Sequence, residues 1–194
     1  MQWVLASNNA GKCREIQAAL KAFDIELISQ AEFNVPEIEE TGTTFVENAI
    51  IKARHAAALS KLPALADDSG LVVEVLAGKP GVLSARFAGA STSPQEYCRP
   101  LLEAMAEIPH NKRQAYFYCA LVLMQSPDDP VPQIFEGRWQ GSILTEVTGS
   151  QGFGYDPVFY VPETNCTAAQ LSVEQKNAIG HRGKALELLK FSFS

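Results

Sequence analysis

Apolar positions along the chain change period several times, and the changes divide it into strands and helices. Trp3 to Ala6 is a short unbroken apolar run, the pattern of a buried strand. A polar loop follows, Ser7-Asn8-Asn9-Ala10-Gly11-Lys12. Ile16, Ala19, Leu20 and Phe23 then recur at i, i+3, i+4 and i+7, one face of an amphipathic helix. Asp24 to Ser29 reads as a second strand, so the opening segment predicts a strand–helix–strand unit of the α/β kind.

Residues 31–42 are acidic and irregular, and Thr44 with Glu47 then makes a capping box for an Ala-rich helix to about Leu59. Ala64-Leu65-Ala66 predicts a short buried strand that runs into Asp67-Asp68-Ser69-Gly70, with the carboxylates at the strand end beside a Ser-Gly turn, and Leu71 to Val75 resumes as a strand. Ser93, Pro94 and Glu96 start a helix to about Ala106. Gln114 to Gln125 and Gln133 to Thr145 read as two long antiparallel strands around the turn at 126–130. A Gly-rich loop at 149–156 leads to a short strand, Val158 to Val161. Ser172 and Gln175 cap a last helix to about Lys190. Gly180 and Gly183 each cost about 1 kcal/mol in a helix interior, so either this helix breaks or something approaches it closely. The order predicts a mixed α/β domain with an elongated sheet. No repeat, low-complexity tract or linker divides it, so residues 1–194 read as a single domain.

Composition narrows the class. Hydrophobic residues are 46% and charged residues 20%, a globular balance. The net charge of −6 counts against nucleic acid or an anionic membrane as the main partner, because both need a basic footprint. No apolar run reaches the length of a membrane span, and Met1 to Ser7 lacks the basic flank of a signal peptide. The expected location is cytoplasmic. Cys13, Cys98, Cys119 and Cys166 show no CxxC or zinc spacing and read as reduced thiols.

Four places carry candidate chemistry. The loop before the first helix offers unpaired N–H groups and a positive dipole end beside Lys12, a phosphate site in principle. It is not a Walker A loop, since Ala6 and Cys13 replace the first glycine and the Ser/Thr. A plain helix cap with a solvated lysine is the competing reading. Asp67 and Asp68 follow buried strand residues, where two acids are costly unless compensated. Strand alternation points them oppositely, so only one faces a given site. Such a carboxylate suits magnesium, against the alternative of an Asx turn. Glu37, Glu39 and Glu40 read as solvated, and Asp128-Asp129 as a hairpin turn between prolines. In Gly152-Phe153-Gly154-Tyr155-Asp156-Pro157, the glycines allow close approach to a flat ligand on which Phe153 or Tyr155 stacks. Lys176, His181 and Arg182 on the last helix form the fourth group. No Ser–His–Asp arrangement stands out, and no HExxH is present.

Several segments, taken in order, carry a resemblance: Ser7 to Lys12, Glu39-Glu40-Thr41-Gly42 with Thr44-Phe45 and Glu47-Asn48-Ala49, Ala66 to Leu71, Ser84-Ala85-Arg86-Phe87, Gly152 to Pro157, and His181-Arg182-Gly183. Together they resemble the inosine/xanthosine triphosphate pyrophosphatase family, the Ham1-like enzymes, from about Val4 to Leu189. The resemblance implies an α/β fold whose elongated central mixed sheet is flanked by helices, with two lobes around a substrate cleft, and a homodimer. It implies Mg2+-dependent hydrolysis of ITP, dITP and XTP to monophosphate and pyrophosphate. It also implies that Ser7, Asn8, Asn9, Ala10, Gly11 and Lys12 hold the triphosphate and that Ser69 contacts substrate. Asp68 would be the catalytic carboxylate and metal site, assisted by Glu40. Phe153, Gly154, Tyr155, Asp156, Lys176, His181 and Arg182 would embrace the base, with donors from backbone N–H groups or from His181 and Arg182 meeting the carbonyl at purine position 6.

Two departures from the family pattern stand out. Gly180 replaces a usual serine, which would loosen the base pocket, and Cys98-Arg99-Pro100 interrupts a helix usually free of proline. The alternatives are a Maf-like pyrophosphatase with another base preference and a non-catalytic nucleotide-binding module. The presence of both Asp68 and Glu40 argues against the latter.

Overall fold

In the computed structural model, which describes residues 1–21, 23–89 and 93–193, the apolar run at the start is a central strand. Strand β1 (Gln2–Ala6) lies parallel to β2 (Glu26–Ser29) on one side and to β3 (Ala64–Val73) on the other. Trp3, Val4, Leu5 and Ala6 are all buried, which is why the run shows no polar alternation. Four more strands complete a mixed sheet: β4 (Gln114–Met124), β5 (Gln133–Ile143), β6 (Phe159–Val161) and β7 (Cys166–Thr167). The seven run in the order β2-β1-β3-β4-β5-β6-β7, with β5, β6 and β7 antiparallel in succession.

The helices are α1 (Ala10–Leu20), α2 (Phe45–Ser60), α3 (Ser84–Phe87), α4 (Pro94–Ala104), α5 (Val173–Ile179) and α6 (His181–Phe191). Local chemistry sets their starts. Thr44 and Glu47 form the expected capping box of α2, and Ser172 and Gln175 that of α5. Helix α4 runs through Pro100 instead of breaking there, with Cys98 and Leu101 buried on either side of it.

Two expectations are corrected. Asp67-Asp68-Ser69-Gly70 is no turn: β3 passes straight through it, and both acids are buried within the strand. The last helix is two helices, parted at Gly180. Gly180 donates its N–H to the Lys176 carbonyl at 2.8 Å, and a Cβ at this position would lie 2.5 Å from that oxygen. The glycine closes the end of α5 tightly.

The chain divides into two compact units. One comprises Met1–Ser69, Cys119–Gly137 and Arg182–Ser194, with a core of Trp3, Leu5, Ile16, Leu65, Leu121 and Leu186 among others. The other comprises Gly70–Tyr118 and Arg138–His181, built on Leu71, Leu101, Met105, Trp139, Phe159 and Val161. In this second unit Arg113 is buried, and it donates to four backbone carbonyls: Met105, Ile108, Ile143 and Leu144.

Candidate active site

Asp67 is fully buried, and both its oxygens are occupied. Oδ1 receives the Lys12 ammonium at 2.5 Å and the Ser69 hydroxyl at 2.9 Å. Oδ2 receives the Arg182 Nε at 2.8 Å and the Cys119 thiol at 3.1 Å. Burial works against this carboxylate, but Arg182 and Lys12 outweigh it and hold its pKa well below the usual range. Arg182 also grips Glu15 through Nη1 and donates from Nη2 to the Ser69 hydroxyl at 2.9 Å. Lys12 and Arg182 against Asp67 and Glu15 leave this cluster balanced in charge.

Asp68, the next residue in β3, has different partners, as strand alternation requires. Its Oδ1 takes the Lys52 ammonium at 2.8 Å, and the same ammonium meets Glu40 Oε1 at 2.7 Å. Among the described residues its Oδ2 has only a long contact, 3.5 Å, from the Asn48 amide. Burial dominates here: it raises the Asp68 pKa, and Lys52 and Lys12 only partly offset it. The Lys52 pKa lies above the ordinary lysine value, because Asp68 and Glu40 outweigh the cost of its own burial. Asp68 and Glu40 are hard oxygen donors of the kind magnesium takes, and here they meet on the Lys52 ammonium. Among the described residues no group of three or more His, Cys, Asp or Glu side chains is placed to hold a metal by itself, so any further ligands would come from water or substrate.

Lys52 and Asn48 were not singled out from the sequence as site residues. They lie one turn apart on α2, polar positions in a face otherwise made of Ala49, Ala53 and Ala56, and that interruption was a readable signal. Asn48 also accepts the Gly42 N–H at 2.8 Å, which ties the loop carrying Glu40 to the helix facing Asp68.

The loop before α1 is more occupied than its sequence predicts. Asn9 caps the helix, its Oδ1 accepting the Gly11 and Lys12 amides at 3.0 Å each. Ser7 Oγ accepts the Asn9 amide at 3.2 Å, while Asn8 bridges Glu37 and Gln30. Ala10 is exposed at the helix start. Lys12, held on Asp67, is not a freely solvated lysine.

The second unit holds the remaining candidates except Arg182. Asp156 is buried and its Oδ2 accepts the Phe153 amide at 2.8 Å and the Lys176 ammonium at 2.6 Å. Gly152 has φ +76°, and a Cβ there would fall 2.1 Å from Asp156 Oδ2, so the loop closes over the carboxylate only with glycine. The Phe153 ring is 38% exposed and lies over the Lys176 ammonium, 4.5 Å from nitrogen to centroid. Gly154, with φ +64°, carries the chain on to Tyr155. Tyr155 is 2% exposed and donates its hydroxyl to the Ser84 carbonyl at 3.0 Å, so Phe153 is the aromatic available for stacking and Tyr155 is core. His181 lies nearly parallel to Phe117, centroids 4.9 Å apart, and to Trp139 at 6.4 Å. Arg182 stands apart from this set: its three nitrogens are spent on Asp67, Glu15 and Ser69, which does not support the expected role as a donor to the base.

No helix among the described residues is long and apolar enough to cross a membrane. The chain is 55% identical over 186 residues to a dITP/XTP pyrophosphatase of Vibrio parahaemolyticus, spanning 96% of this chain and 93% of that protein. A solved HAM1 protein from Coxiella burnetii covers 100% of this chain, and the match 98% of that one, with TM-score 0.93 and 51% identity. The Ham1 protein of Staphylococcus aureus gives TM-score 0.87 at 39% identity over 100% and 98% of the two chains. Residues 3–191 match the family model described as the Ham1 family, and the chain belongs to that family.

Proposed function

We propose that the chain hydrolyses the non-standard purine nucleoside triphosphates ITP, dITP and XTP to the monophosphate and pyrophosphate. The observation that carries this reading is the likeness, over 186 residues, to a protein named dITP/XTP pyrophosphatase. The acidic pair fits the chemistry. Asp68 has the raised pKa of a carboxylate suited to accept a proton, and its Oδ2 has only the long Asn48 contact. At that oxygen Asp68 takes the proton of a water attacking the α-phosphorus. Lys12 and Lys52, each held by a carboxylate, supply the positive charge that the phosphates and the leaving pyrophosphate need. Ser7 to Gly11 and Ser69 line the phosphate end. Asp68 and Glu40 would hold Mg2+, which screens the phosphate charge when bound.

Base recognition falls to Phe153, whose face is the exposed one, with Gly154, Lys176 and His181. Tyr155 and Asp156 support them from below: Tyr155 by packing, Asp156 by fixing Lys176 and the Phe153 amide. Arg182 moves from the base set to the phosphate set, where it anchors Asp67 and Ser69. The enzyme acts in the cytoplasm as a homodimer without nucleic acid. Incubation with Mg2+ and a panel of triphosphates tests the reading, with monophosphate plus pyrophosphate expected from ITP, dITP and XTP far faster than from ATP or GTP. Preference for other bases would favour the Maf-like alternative, and no turnover the binding module.

A further inference from the structure

The four cysteines are all free, and three of them face ordinary neighbours. The Cys13 thiol points to the Ser7 carbonyl at 3.4 Å, Cys98 to the Gly154 carbonyl at 3.7 Å and Cys166 to the Thr164 hydroxyl at 3.3 Å. Cys119, in β4 beside β3, faces a charged group: its Sγ lies 3.1 Å from Asp67 Oδ2. Both atoms are buried, and that oxygen is the one on which the Arg182 Nε also lands. Burial first, and the Asp67 charge next, keep the thiol protonated far above its ordinary range. It therefore meets the carboxylate as a donor.

A carboxylate orients what binds it only when its own plane is fixed. Asp67 has donors on both oxygens, but Lys12 and Ser69 sit on Oδ1, and Arg182 and Cys119 on Oδ2. Lys12 and Arg182 are long side chains that the carboxylate is itself required to order. Cys119 and Ser69 differ from these: each is a short strand side chain with a single χ1 to set, and of the two only Cys119 is fully buried. It is a rigid donor, placed by the sheet. We propose that Cys119 is a positioning residue, whose thiol fixes the Asp67 carboxylate and, through it, the places of Lys12 and Arg182.

The proposal rests on the reading that this cluster acts on the triphosphate, and its test separates the two. Cys119→Ala and Cys119→Val remove the donor, whereas Cys119→Ser keeps one on a slightly smaller side chain. Two measurements are made on each variant: kcat and KM for ITP, and the exchange rate of the Arg182 Nε–H by NMR, assigned by its loss in Arg182→Lys. The expected result is a fall of about tenfold in kcat/KM and faster Nε–H exchange in Cys119→Ala, with Cys119→Ser recovering most of both. If alanine and valine lower only the melting temperature, with kcat, KM and Nε–H exchange retained, the thiol is packing and the proposal fails. It fails equally if serine behaves as alanine does. Should the valine variant not fold, the alanine–serine comparison decides. A wild-type protein inactive on every triphosphate would overturn the function, while the Arg182 exchange rates would still decide the role of Cys119.

Discussion

Lys12 and Asp67 meet at 2.5 Å, a helix-start ammonium on a carboxylate in the interior of β3. This pair separates the roles of two adjacent acids. Asp67 is compensated by two cations and structural to the site; Asp68 shares the Lys52 ammonium with Glu40 and keeps a raised pKa. The Asp67→Asn protein leaves Lys12 and Arg182 beside a neutral amide, and breaking a buried pair from one side costs about 3–5 kcal/mol. Asp68→Asn removes a charge that burial disfavours, so its stability should match or exceed that of wild type while turnover falls ~10²–10³-fold. Urea denaturation with ITP kinetics on both variants checks this, and an inactive but fully stable Asp67→Asn protein would contradict it.

Acid should act on the two residues in opposite directions. The Asp67 pKa is lowered in the folded protein, so its contribution is present above the ordinary carboxylate value of 3.8 and lost as pH falls through the folded value. The Asp68 pKa is raised, so its contribution is full below 3.8 and lost as pH rises through the folded value. The stability gap between wild type and Asp67→Asn should therefore narrow in acid below pH 3.8, and denaturation curves at a series of pH values would show it.

Lys52→Met removes the ammonium that Asp68 and Glu40 share, and the uncompensated Glu40 charge pushes the Asp68 pKa up further. The acid limb of the kcat/KM profile should move to higher pH and the maximum rate fall ~10²-fold or more. A pH–rate profile with an unmoved acid limb would assign that limb to another group.

Base selection should respond to Phe153 and not to Arg182. Phe153→Ala removes a stacking face that serves every base, so kcat/KM for ITP and ATP should fall together by about 1–3 kcal/mol of binding. Arg182→Ala strips Asp67, Glu15 and Ser69 of a shared partner, and the expected outcome is a lower melting temperature with the ITP/ATP ratio of kcat/KM retained. A ratio that collapses in Arg182→Ala would return the arginine to the base.

What the sequence made legible was local. Thr44 with Glu47 and Ser172 with Gln175 announce their helices because both partners of each cap sit within one turn. The unbroken run Trp3 to Ala6 announces a strand covered on both faces. Asp67-Asp68-Ser69-Gly70 misleads because its residue types favour turns, while the partners that hold it in a strand are distant in the chain. Arg182 is 115 positions from Asp67, and nothing near either residue records the pairing. Ordering the candidates along the chain likewise grouped Arg182 with its neighbour His181, although the break at Gly180 starts a new helix whose second residue turns to Asp67. Lys52 shows the same limit: its place in the alanine face of α2 marks it as unusual, but its partner Asp68 lies 16 positions on, in another element.

Arg113 makes a backbone statement with a side chain. Its guanidinium gathers carbonyls from two stretches, 105–108 at the end of α4 and 143–144 at the end of β5, that share no strand ladder with each other. With one donor group serving both, neither stretch can open without exposing the other's acceptors, so they form one cooperative unit. Their amides should exchange with solvent at a common rate, and Arg113→Met should release both stretches together while the amides of β1 keep their protection.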